Sequence, residues 1–186
     1  MPGKKLYVGA VLALSAFLCA GCYTPQTTAG VEILPEKLKS IAIPVFDNKT
    51  PYYSINEDIT KKTIEKFIQN GRLTVTDAKT ADCLLKGEVV QYWIVPLSYN
   101  ENDVVEQKLL KVIVNLSLVD LQVGTVLWEE TWRETQAGTE IGGIVKEVRF
   151  FVSGESEHPV ETEEDARARI VEELAEETVK RTIYGW

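Results

Sequence analysis

The sequence predicts an α+β fold: an antiparallel or mixed sheet of about four strands with two helices packed on one face, behind a short export segment. Three observations carry this. Residues Glu106 to Asp120 alternate apolar and polar side chains, as a strand with one wet face does. Two stretches, one from Ser54 and one from Thr162, place apolar residues at helical spacing. The chain opens with Lys4 and Lys5, a short apolar run and small residues before a cysteine.

That opening comes first in the chain. Leu6 to Cys19 is apolar and too short to span a bilayer comfortably, which takes roughly 20 apolar residues. A positive start, a short greasy middle and small residues before a cleavage point read as an export signal. Leu18-Cys19-Ala20-Gly21-Cys22 resembles a bacterial lipobox, with Cys19 where Leu is usual. The resemblance makes residues 1–21 a lipoprotein signal peptide. Cys22 is then the lipid attachment site, carrying a thioether-linked diacylglycerol and an N-acyl chain (palmitate-type). The alternative is an ordinary secretory signal in which Cys22 is incidental. Each buried methylene contributes about 0.8 kcal/mol, so two or three chains hold a protein at a membrane where one binds marginally. Tyr23 stands where an Asp would retain an enterobacterial lipoprotein at the inner membrane, which favours the outer membrane.

Residues 22–35 lack periodicity and read as the acylated N-terminus and a tether, reaching roughly 40 Å at about 3.3 Å per residue. Residues 36–186 read as a single domain. In Leu38 to Phe46, Ile41, Ile43 and Val45 alternate as in a strand, and Pro44 places it at a sheet edge or bulge. Ser54 and Glu57 have the spacing of a capping box. Ile59, Thr60, Thr63, Ile64, Phe67 and Ile68 follow as the stripe of a first helix, which Asn70-Gly71 stops. Leu84 to Tyr99, Glu106 to Asp120 and Thr125 to Thr135 read as three antiparallel strands in a meander. In the second, Leu110, Val112, Val114, Leu116 and Leu118 face one way; in the third, Val126, Trp128 and Trp132 share a side. Ile144 to Ser153, bracketed by glycines, is either another strand or a flap. Thr162 begins a last helix with Glu163, Glu164 and Asp165 at its positive end. Its stripe is Ala166, Ile170, Val171, Leu174, Ala175, Thr178, Val179 and Ile183.

The net charge is -8, and loss of the first 21 residues with their two lysines makes it -10. Such a balance argues against nucleic acid, whose phosphates need a basic stripe. Catalysis is hard to place, and the chain reads as no enzyme. His158 is the sole histidine and Cys83, in an apolar run, the sole cysteine of the body. That leaves no zinc ligand set and no metal or further cofactor to expect. A Cys83–His158 nucleophile pair would need the two in reach and an orienting group. Trp93, Trp128, Trp132 and Trp186 could floor an apolar groove; packing is the commoner use of strand tryptophans.

Across the body, Ser40 to Thr50 (SIAIPVFDNKT), Asn70-Gly71-Arg72-Leu73, Ala81 to Glu88 (ADCLLKGE), Tyr92 with Pro96 to Tyr99, Val119-Asp120 before Gly124, and Leu127-Trp128-Glu129 occur in order before the last helix. Together with the lipobox, this ordered set resembles the LptE family of lipopolysaccharide-assembly lipoproteins. The resemblance implies a sheet flanked by two helices. It implies an outer-membrane lipoprotein that plugs the barrel LptD in a one-to-one complex, helps it assemble, and binds lipopolysaccharide for insertion at the cell surface. In well-known members, basic residues in the loop between the second and third strands and just before the last helix have been linked to lipopolysaccharide. Here those loops read Tyr99-Asn100-Glu101-Asn102-Asp103 and Glu155-Ser156-Glu157-His158, so those roles do not transfer. Lys111, Arg133, Lys146 and Arg149 remain as candidates, against a reading of them as solubilising surface charge. The alternative function is a periplasmic regulator lipoprotein activating an envelope enzyme such as a peptidoglycan synthase. Those proteins also begin with an apolar strand followed by Asn-x-Thr, here Asn48-Lys49-Thr50.

Overall fold

The computed structural model describes residues 34–136, 138–153 and 158–185. The signal segment, Cys22 and nearly all of the tether lie outside them, as do Glu155 to Glu157 and Trp186. No helix among the described residues is long and apolar enough to cross a membrane.

Strand β5 (Val105–Asp120) is the spine of the sheet. Along one edge it pairs antiparallel with β4 (Cys83–Tyr99). Its other edge is shared: β6 (Thr125–Glu130) takes Leu116 to Asp120, and β9 (Ile144–Phe151) takes Gln107 to Val114. The segment read as strand or flap is therefore a strand. Short parallel pieces complete the far side: β1 (Ser40–Ala42) lies between β3 (Thr74–Val75) and β4, and β2 (Asp47–Asn48) pairs with β4 further along. The result is a mixed sheet of seven strands among the described residues, where the sequence suggested about four. Beyond the four expected, β2 and β3 are two residues each, too short for an alternation to show in sequence, and β9 is the segment the sequence left open.

Two expectations for the first strand change. β1 is interior to the sheet, and Pro44 falls after it, between β1 and β2. The missing amide is thus accommodated by a break in the strand, and the alternation ends there: Ile41 and Ile43 are buried while Val45 is exposed. Phe46 then turns into the core over Gly87. A Cβ on Gly87 would lie 2.4 Å from the Phe46 ring, so only a bare backbone lets the ring seat.

Helix α1 (Ile55–Asn70) does not begin with the expected capping box. Ser54 is left-handed, at φ 64°, and its hydroxyl caps no amide. Tertiary bonds hold this end instead. Asn56 Nδ2 donates to the Phe46 carbonyl at 2.8 Å, and Thr60 Oγ1 accepts from the Phe46 amide at 2.9 Å. The buried face is Ile55, Ile59, Thr60, Thr63 and Phe67. At 3.6 residues per turn Ile68 lies about 100° round the helix from Phe67, off this face, and is 64% exposed. Gly71 ends the helix as expected, its amide donating to the Phe67 carbonyl at 3.1 Å.

Helix α2 (Glu163–Tyr184) carries the reciprocal cap that α1 lacks. Thr162 Oγ1 accepts from the Asp165 amide at 3.1 Å, and Asp165 Oδ2 accepts from the Thr162 amide at 3.0 Å. Every residue of its expected stripe is buried. It packs across β9 and β5, and against α1 on the same face of the sheet. Lys62 and Lys66 of α1 reach Glu172 and Glu176 of α2, with Lys66–Glu176 at 2.8 Å and Lys62–Glu172 at 3.4 Å. The even residues of β5 from Leu110 to Leu118 form the core beneath the helices.

The opposite face is only partly wet. After β6, the ribbon β7 (Arg133–Glu134) and β8 (Glu140–Ile141) folds over it. Gly142 and Gly143 permit this. Both have positive φ, and a Cβ on Gly143 would lie 2.8 Å from Trp132 Cβ and 3.2 Å from Ile113. Ile113, an odd residue of β5, is buried by that cover. Trp132 thus lies on this face, its amide donating to Asn115 Oδ1 at 2.7 Å, while Trp128 packs against the core. The expectation that Val126, Trp128 and Trp132 share a side fails for this reason, and Val126 is exposed.

Candidate functional site

The four basic candidates do not form one patch. Lys111 projects from the outer face of β5, where it bonds Glu140, lies 3.7 Å from Glu147, and sits 5.7 Å over the Trp93 ring. Arg149 projects from the same face of β9, one side-chain pair beyond Glu147. Arg133 is on the ribbon above that face. Lys146 faces the other way, toward α2, and lies 3.7 Å from Glu177. Lys111 and Lys146 are therefore neutralised by carboxylates, whereas the Arg133 and Arg149 side chains are exposed and carry no ion pair among the described residues. Cys22 lies outside the described residues.

A Cys83–His158 nucleophile pair is excluded by geometry. Cys83 pairs with Asp120 at one end of β5, and His158 stacks on Phe151, which pairs with Gln107 near the other. Thirteen residues of strand separate those ends, about 40 Å at roughly 3.3 Å per residue. The thiol itself is buried, donates to the Ser40 carbonyl at 3.4 Å, and has its pKa pushed up to about 12 by burial and the nearby Asp82 and Asp120 charges. No group of side chains among the described residues could hold a metal ion.

Carboxylates do structural work at both ends of β6. Glu130, buried at the end of β6, accepts from Arg181 Nη1 at 3.1 Å, and its pKa is raised, burial outweighing the arginine. Asp120 accepts from Lys37 Nζ at 2.7 Å and from the Gln122 amide at 2.8 Å, which shapes the β5–β6 turn and holds its pKa down. An open groove of about 390 Å³ between α1 and α2 is lined by charged side chains, among them Lys61, Lys62, Glu65, Arg167 and Glu172.

The sequence reading missed an exposed apolar row. Trp93, Val95, Leu97 and Tyr99, along the outer half of β4, are between 42% and 55% exposed. The signal was present: Gln91 to Tyr99 has no charge, between Glu88 and Glu101. These side chains alternate with buried Tyr92, which pairs with Val112 on the core face, whereas Trp93 pairs with Lys111 on the face turned away from the helices.

Among solved structures, the chain is similar to a PelC dodecamer subunit from Paraburkholderia phytofirmans (13% identity, TM-score 0.42, covering 77% of this chain and 89% of that one). It is also similar to a lipoprotein from Neisseria meningitidis (14%, 0.42, 77% and 96%) and to the rare lipoprotein B from Shewanella oneidensis (12%, 0.40, 77% and 90%). No curated protein matches it. The family model described as "LptE: Lipopolysaccharide-assembly" matches residues 38–182, from the residues leading into β1 to the last turn of α2. The chain belongs to the LptE family of lipopolysaccharide-assembly proteins.

Proposed function

We propose that this protein is an outer-membrane lipoprotein, held by lipid on Cys22, whose body plugs the barrel LptD, helps it assemble and contacts lipopolysaccharide on its way to the surface. The family match over residues 38–182 carries the reading. The body is compatible with it. A plug in a wet lumen needs a rigid core and a largely polar exterior. Here both helices lie on one sheet face and turn a lysine–glutamate lattice outward. For the phosphates of lipopolysaccharide, Arg133 and Arg149 are the guanidinium groups to test first, because Lys111 and Lys146 already face carboxylates.

The test is mild detergent extraction of the tagged, full-length protein from its own cells, with depletion in parallel. Co-purification of the barrel, together with misassembled LptD and less surface lipopolysaccharide on depletion, is expected. Capture of an inner-membrane peptidoglycan synthase with no barrel, or intact surface lipopolysaccharide on depletion, would overturn it.

A further inference from the structure

Strand β4 outruns the strands on one of its sides. β5 lines one edge from Cys83 to Tyr99. On the other edge, β1 pairs with Cys83 and Leu84 and β2 with Glu88 and Val89; the Lys49 amide then donates to the Val89 carbonyl at 2.9 Å. From Gln91 to Tyr99 this edge meets no strand among the described residues. A bare edge is a row of unpaired amides and carbonyls, and proteins blunt such edges with charge, especially lysine, with proline or with bulges. Gln91 to Tyr99 reads QYWIVPLSY: no charge at all, in a chain with 26% charged residues. Pro96 and the two register shifts after it interrupt the outer part, and a third shift, between Val89 and Gln91, precedes the edge; Gln91 to Pro96 is regular. Within that run, Tyr92, Trp93, Ile94 and Val95 are all residue types that favour strands.

We propose that the Gln91–Tyr99 edge is completed in the assembled complex by an extended strand of the partner protein, added to the sheet by main-chain hydrogen bonds. This rests on the barrel reading above and names how that partner is held. Charge argues for a partner strand over a second copy. Glu88 stands at one end of the edge, Glu101 and Asp103 in the turn at the other, and Glu163 accepts from the Tyr92 hydroxyl at 3.4 Å. Against these stand Lys49, 3.5 Å from Glu88, Lys108, opposite Pro96 on β5, and Lys111, opposite Trp93 but paired with Glu140 and Glu147. Two copies paired antiparallel would set the Glu88 end of each against Glu101 and Asp103 of the other, with a net -8 on both, or -10 without the first 21 residues. The fitting strand is apolar at alternate positions, beside Trp93 and Val95, and neutral or basic at its ends.

The experiment places a photoreactive residue singly at Trp93, Val95 and Leu97 in the full-length, lipid-anchored protein and maps the crosslinks made in cells. One partner segment is expected, with attachment points advancing by about two residues per site in one direction, the signature of a paired strand. Val95→Lys should lower barrel co-purification at least tenfold with the melting temperature of the isolated body unchanged, while Val123→Lys, at an exposed turn, leaves capture intact. Crosslinks scattered over unrelated segments, crosslinks to a second copy, or undiminished capture by Val95→Lys would overturn the proposal while leaving the barrel reading standing. If the unaltered protein captures no barrel, both fall.

Discussion

Ser40 and Asp82, 42 residues apart, are bonded in both directions: Ser40 Oγ donates to Asp82 Oδ2 at 2.8 Å and accepts from the Asp82 amide at 3.0 Å. The same carboxylate oxygen accepts the amides of Lys39 and Ser40 at 2.9 and 3.0 Å, and Oδ1 accepts from Gln122 Nε2 at 2.8 Å. One side chain thus joins the start of β1, the start of β4 and the β5–β6 turn.

Acid should loosen this joint. The Lys39 amide first, and then the Ser40 hydroxyl, hold the Asp82 pKa at about 2, below the ordinary 3.8. A depressed carboxylate stabilises the fold fully above its unfolded value, and the contribution disappears as pH falls from about 4 toward 2. Thermal melts of the wild type and Asp82→Asn should therefore differ clearly at pH 6, the variant melting lower, and converge toward pH 2. A gap that stays constant across that range would show the carboxylate charge to be irrelevant.

Gly87→Ala should cost about 1–3 kcal/mol, the usual penalty for forcing a methyl into a packed core. The new Cβ would meet the Phe46 ring at 2.4 Å. Shrinking the ring with Phe46→Leu in the same chain should recover part of that loss, so the double variant is less destabilised than the sum of the singles. Urea denaturation of all four proteins reads the coupling; strict additivity would mean that the two residues do not compete for space.

The two helix starts should respond differently to loss of a hydroxyl. Thr162→Ala removes a cap bonded to the Asp165 amide and should cost about 1 kcal/mol. Ser54→Ala removes a hydroxyl that caps no amide, and should stay within about 0.5 kcal/mol of wild type. Equal losses at both sites in chemical denaturation would contradict the assigned caps.

Cys22→Ala should release the body from membranes into the soluble fraction with its circular dichroism unchanged, since the described domain begins well after residue 22. Sedimentation of the variant with membranes as fully as wild type would remove the lipid tether from the proposal.

Much of this protein is legible without coordinates because its signals are local. The period of two in Leu110 to Leu118 and the stripe from Ala166 to Ile183 come from strand and helix geometry, and every residue of both is buried. Tertiary structure decided what depends on distant partners. Ser54 has the residue type and spacing of a cap, yet Phe46 takes over that end of α1 through Asn56 and Thr60. Trp132 follows the right alternation, but the chain leaves β6 at Glu130 and folds back over Ile113. The charges of Lys111 and Lys146 are plain in the sequence; their neutralisation by Glu140, Glu147 and Glu177 required a strand register and a helix position. The open edge of β4 belongs to the same class, because a strand's own residues set its faces, while only its neighbours determine whether its backbone is paired.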